Sequence, residues 1–143
     1  MPIVGYGLNK INIERKGPVK GKVEIKNNVS IKNVEEKDLA FGGTKQKGLK
    51  FTFEFVSKYE PKLGEIALFG DILFTEKPDK VKEIQKEWKK GKKVSREVMA
   101  QIMNTILARC HITAIGLSQD VSLPPPIPLP KVKASEGDKR YIG

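Results

Sequence analysis

Cys110-His111 is the one place in this chain where two side chains able to hold a metal or move a proton meet; each is the single residue of its type. Chelation, or a thiolate–imidazolium pair, needs both groups aimed at one centre. Adjacent residues on a helix point about 100° apart, so this pair cannot share an ion, and a buried structural cysteine beside an ordinary histidine is the reading. One cysteine excludes an internal disulfide and a cysteine-based zinc site, and fits a reducing cytosol. No nucleophile–base–orienter set and no local metal cluster can be composed. Gly5-Tyr6-Gly7 and Gly42-Gly43-Thr44-Lys45 are short glycine turns that complete no phosphate-binding fingerprint. Glu35-Glu36 and Asp38 read as a solvated acidic loop, because a tuned acid–base pair needs apolar surroundings. The expectation is a protein that is not an enzyme and takes no cofactor or metal.

Charge carries more information. The chain has 143 residues, 27 Lys and Arg against 17 Asp and Glu, and a net charge of +10. The excess is segregated: net +5 over residues 1–34, +4 over 79–95 and +2 over 131–143, with 35–130 otherwise near neutral. A neutral centre with basic appendages favours a polyanion such as RNA. The candidate phosphate contacts are Lys10, Arg15, Lys16, Lys20, Lys22 and Lys26 near the N-terminus, then Lys89, Lys90, Lys92 and Lys93 in a connector. Lys131, Lys133, Lys139 and Arg140 follow in the tail, where Tyr141 adds a ring for base stacking.

These residues must be placed by elements. Period-two alternation marks strands over Tyr6–Arg15, Lys20–Val34, Leu49–Phe55 and Glu65–Phe74. Leu8 is out of phase with Ile11 and Ile13, which predicts a bulge. Glu35 to Gly48 reads as a loop pivoting on Gly42-Gly43, and Asn27-Asn28 as a bend or a wet patch. Glu60-Pro61-Lys62-Leu63-Gly64 makes a hairpin turn. Lys77-Pro78-Asp79 opens a short helix with Val81, Ile84 and Trp88 inward, and Gly91 suits a left-handed end. Ser95 caps a long helix from Arg96 to about Ser118. Its apolar face is Met99, Ile102, Ile106, Cys110, Thr113 and Leu117, widened by Val98, Met103, Leu107, Ala114 and Ile115. Gln101, Asn104, Arg109, His111 and Thr113 argue against a membrane, and the N-terminus lacks the basic region and apolar run of a signal peptide.

Four strands followed by two helices define an α+β domain with a mainly antiparallel four-stranded sheet, packed by the long C-terminal helix. It spans residues 1–130, with a basic N-terminal arm, a short connector helix and a basic tail over 131–143. Strand 4 is apolar on both faces, which calls for cover on both sides, one from its own helix and one from a second subunit. The Phe51-Phe53-Phe55 stripe reads first as core under the long helix. Its alternative, with Phe69, is a groove for peptide.

Leu107-Ala108-Arg109-Cys110 inside the long helix, and Leu123-Pro-Pro-Pro-Ile-Pro-Leu-Pro130 after it, carry a resemblance to the SecB export-chaperone family. That family has the same element order, a similar Ala-Arg-Glu-Cys step and a proline-rich exit. The resemblance implies a SecB-like fold, apolar grooves for unfolded or nascent polypeptide without ATP, and a homo-oligomer if free. Bacterial members are acidic and meet a basic motor protein, whereas this chain is basic. It looks more like the small basic SecB-like protein of some archaeal large ribosomal subunits. That likeness implies a cytoplasmic, rRNA-binding structural component with rRNA and neighbouring ribosomal proteins as partners. The holdase chaperone is the alternative.

Overall fold

The computed structural model describes residues 3–91, 93–130 and 132. Four strands and two helices follow in order: β1 (Ile3–Arg15), β2 (Glu24–Phe41), β3 (Thr44–Glu60), β4 (Gly64–Thr75), α1 (Pro78–Gly91) and α2 (Arg96–Asp120). The strands form one sheet in the order β1-β4-β3-β2, antiparallel throughout. β2, β3 and β4 make a meander. β1 joins from the far side of β4, so residues 16–23 cross the end of the sheet from one edge to the other. The backbone bond from Lys16 N–H to the Leu63 carbonyl, 2.8 Å, holds that crossing against the β3–β4 turn.

One sheet face is dry. Leu49, Phe51, Phe53, Phe55 and Tyr59 of β3, with Ile66, Leu68, Ile72 and Phe74 of β4, are buried beneath the helices. Strand alternation puts every second residue on this face, and α1 and α2 supply Val81, Ile84, Trp88, Val98, Ile102, Ile106 and Cys110 from above. α2 is long and apolar enough to cross a bilayer, but here it is the core helix of a sheet. Its buried row is Val98, Ile102, Ile106, Cys110, Ala114 and Ser118, a strict fourfold spacing. That row is narrower than the expected face: Met99, Met103, Leu107, Ile115 and Leu117 are only half-buried.

On the opposite face of the sheet, side chains of its own strands pack against one another. Lys10 lies over the Phe69 ring at 5.3 Å. Asp71 accepts hydrogen bonds from Asn9, 2.8 Å, and Thr52, 3.0 Å. Lys50 pairs with Glu35 at 2.9 Å.

Several sequence expectations change. The N-terminal arm is an edge strand of the sheet, and its bulge falls between Leu8 and Lys10, where the phase breaks. The β2 irregularity lies between Ile31 and Asn33, while Asn27-Asn28 is regular strand with both residues exposed, the wet patch and not the bend. Residues 35–48, read as a loop, form the outer half of the β2–β3 hairpin. Gly42 (φ 53°) and Gly43 (φ 85°) occupy the two left-handed positions of a tight turn, and Lys47–Glu36 and Lys50–Glu35 pairs cross the ribbon. Gly91 closes α1 without a left-handed conformation.

Close backbone approach is tightest at Gly70, where an added Cβ would run into the Gly7 carbonyl oxygen of β1. Gly70→Ala is expected to destabilise the fold by about 1–3 kcal/mol. Gly116→Ala, on the open side of α2 with nothing within 4 Å, should stabilise it by about 0.5–1 kcal/mol. Urea unfolding midpoints at constant slope check both.

Candidate functional site

The chemistry-bearing residues of α2 serve packing. Cys110 is fully buried, with its Sγ 3.4 Å from the Tyr6 hydroxyl. Burial pushes the thiol pKa up, against a smaller lowering by the Tyr6 hydrogen bond. Burial also raises the Tyr6 phenol, helped by Cys110. Arg109 lies over the Tyr6 ring at 4.7 Å. His111 turns the other way, edge-on to Phe55 at 5.3 Å, with its Nε2 buried and unpartnered among the described residues. Cys110 and His111 therefore face β1 and β3 respectively, as helical geometry demands. Among the described residues no three His, Cys, Asp or Glu side chains converge on a metal position. Glu35 and Glu36 are exposed and engaged by Lys50 and Lys47.

The expected phosphate contacts divide. Arg15 is structural: its Nε donates to the Val121 carbonyl at 2.9 Å and its Nη1 to the Gly17 carbonyl at 3.2 Å, clasping the end of β1 to the end of α2. Lys10 is held over Phe69. Lys16, Lys20 and Lys22 are exposed along the crossing of residues 16–23, and Lys26 follows on β2. Lys89, Lys90 and Lys93 are exposed at and beyond the end of α1. Lys92, Lys131, Lys133, Lys139, Arg140 and Tyr141 lie outside the described residues. The structure adds Lys82 and Lys86, exposed on α1. Their signal is the spacing of 82, 86 and 89, which shares one helix face, and the run from 89 to 93 obscured it.

The expected peptide groove is not where the sequence put it. Phe51, Phe53 and Phe55 are 0% exposed, because both helices lie on their face, and Phe69 sits on the opposite face under Lys10. A different apolar concavity is present. Val23, Ile25 and Asn27 of β2 and its approach face Pro124–Leu129 across about 520 Å³. The proline segment is anchored there by the Tyr59 hydroxyl, which donates to the Pro124 carbonyl at 2.6 Å, and by the Asn27 amide on the Pro126 carbonyl at 3.0 Å. Burial pushes the Tyr59 pKa up to about 12. β2 is an edge strand with half-buried Val29 and Ile31 beside this groove. The solvent side of α2 is nearly uncharged: Arg109 is the one charged residue between Glu97 and Asp120, and Ile112 is 71% exposed.

No family model matches the chain, and no curated protein matches it. Among solved structures it is similar to the Rv1957 SecB-like chaperone of Mycobacterium tuberculosis, in complex with a ChAD peptide from the Rv1956 HigA1 antitoxin. Identity is 10%, the alignment covers 92% of this chain and 88% of that one, and the TM-score is 0.48. The observed architecture, an antiparallel four-stranded sheet under a short and a long C-terminal helix, is the one expected from the element order.

Tyr59→Phe should cost about 1 kcal/mol and loosen the proline segment, read as faster hydrogen exchange at Leu123 and Ile127. Burial lowers the His111 pKa below its ordinary 6.5. The unfolded side chain therefore takes up protons first, so this contribution to stability is complete above pH 6.5 and falls as pH drops through and below it. His111→Gln is expected to flatten that acid limb of the unfolding midpoint.

Proposed function

We propose that this protein is a non-catalytic RNA-binding protein, acting as a structural component of a ribonucleoprotein. The observation that carries the reading is the set of exposed lysines on the β1–β2 crossing, β2 and α1. None of Lys16, Lys20, Lys22, Lys26, Lys89, Lys90 and Lys93 joins an ion pair among the described residues. Lysines left over on a chain of net +10 supply counterion-releasing contacts to phosphates. The large ribosomal subunit is the particular setting we propose, with rRNA and neighbouring ribosomal proteins as partners. This setting, like the archaeal source and the cytoplasmic location, rests on the resemblance of the α2 and proline motifs together with the basic charge.

A second reading, an ATP-independent holdase for unfolded or nascent polypeptide, is favoured by a separate observation. The groove between Val23, Ile25 and the proline segment runs beside the free edge of β2, and an extended peptide could add a strand there while placing side chains in the groove. In this reading the free protein is a homo-oligomer.

Sedimentation of native lysate separates the two. The expected result is comigration with the large ribosomal subunit, released by high salt or by ribonuclease. A free particle of several subunits, unmoved by ribonuclease and able to suppress aggregation of a denatured client, would replace the RNA reading with the holdase.

A further inference from the structure

On α1 the buried residues are Val81, Ile84, Gln85 and Trp88. At about 100° per residue they occupy one side, and Lys82, Lys86, Lys89 and Lys90 fall within about 100° of one another on the opposite side. All four are exposed. Neighbouring Cβ atoms at such spacings lie about 5–6 Å apart, and at about 1.5 Å rise per residue the row runs about 12 Å along the helix. Lys93 extends it, since it lines one concavity with Lys90, Gly91 and Val94. Helix stability accounts for only part of this row. Cations favour the last turn of a helix, which explains Lys89 and Lys90 but not Lys82 and Lys86 in its middle. Asp79 falls within the same arc, and Glu83 and Glu87 border it, lining one concavity with Lys86, Lys89 and Lys90, yet none of them forms an ion pair with these lysines among the described residues. α1 is held from behind by Gln85, whose amide donates to the Val34 carbonyl at 3.0 Å, so the row sits on a rigid element.

The second observation concerns aromatic rings. Sites for single-stranded nucleic acid combine basic grooves with rings on which bases stack. Here Phe51, Phe53, Phe55, Tyr59, Phe74 and Trp88 are buried, while Tyr6 and Phe69 are half-buried under Arg109 and Lys10. Among the described side chains no aromatic ring is exposed. The α1 row itself presents no exposed ring among its described side chains, and such a linear row of cations suits a regular rail of phosphates, which in a duplex RNA is its backbone, recognised by shape.

Resting on the RNA-binding reading, we infer that α1 is a docking rail for double-stranded RNA, through Lys82, Lys86, Lys89, Lys90 and Lys93. The site is specific for duplex geometry and indifferent to base sequence.

The test is fluorescence anisotropy of the full chain against a short RNA duplex, a single-stranded oligouridylate of equal length, and polyglutamate, across a salt series. The duplex is expected to bind at least about tenfold tighter than the other two. Lys82→Gln/Lys86→Gln/Lys89→Gln/Lys90→Gln should reduce the slope of log affinity against log salt by about 3 on the duplex. Its charge-matched control, Lys37→Gln/Lys45→Gln/Lys58→Gln/Lys62→Gln, should reduce it by no more than about 1. Circular dichroism and the thermal midpoint confirm that both variants are folded. Equal binding of single strand or polyglutamate, or equal slope losses in the two variants, overturns the inference while leaving RNA binding intact. Failure of the wild type to bind any RNA overturns the RNA-binding reading itself.

Discussion

Burial of one face of the β3–β4 pair is the constraint on which the rest depends. Leu49, Phe51, Phe53, Phe55, Ile66, Leu68, Ile72 and Phe74 form a continuous apolar surface that is at most 1% exposed. Loss of a buried phenylalanine costs about 3–5 kcal/mol, comparable to the whole stability of a small domain. Both helices are recruited to that one face, α1 over the β2–β3 side and α2 along the length of the sheet. Everything available for binding is then what this arrangement leaves outside: the lysine side of α1, the crossing at the sheet end, the free edge of β2 and the uncharged outer side of α2.

The division of labour between the two helices follows from their composition. α1 carries its charge outward and is tied to β2 by the Gln85 amide, so its outer surface is basic and fixed. α2 carries almost no charge between its ends. Its buried residues are a single row at fourfold spacing, flanked by partly buried Leu107 and Leu117, and its C-terminal end is secured by Arg15 and by the proline segment on Tyr59. A polyanion on α1 and an apolar partner in the proline groove would therefore meet different parts of the molecule, whereas Lys22 and Lys26 alternate with Val23 and Ile25 at the edge of β2, where the two readings meet.

Strands β3 and β4 and both helices were legible because each has one face in the core, which imposes a period of two or near four on the sequence. The outer half of the β2–β3 hairpin was not. It lies beyond the cover of the helices, and its stability comes from ladder hydrogen bonds, cross-strand ion pairs and two left-handed glycines. None of these imposes a hydrophobic period, and among the described side chains between residues 35 and 47 Leu39 is the one that is buried. The inward face of α2 was misjudged for a related reason: Met99, Thr113 and Leu117 match a helical average, but the contact line with the sheet follows the fourfold row from Val98 to Ser118. In the candidate site, the exposed lysines near residues 16–26 and 89–93 were legible as charge. The clasp made by Arg15 was not, because its partners, the Val121 and Gly17 carbonyls, are backbone atoms that leave no mark in side-chain pattern.

The strand order also governs how the chain can assemble during synthesis. β1 is made first but pairs only with β4, so that Ile3 meets Phe74 and Arg15 meets Gly64. β2 and β3, joined by a two-glycine turn, pair with each other as soon as both exist. β1 then has to wait for the fourth strand, and its final clasp at Val121 waits for the whole of α2. Early closure of the hairpin, followed by late enclosure of the first segment, places the slow, non-local contacts at the end of folding. The part of the apolar face that α1 does not reach has no cover until α2 has emerged.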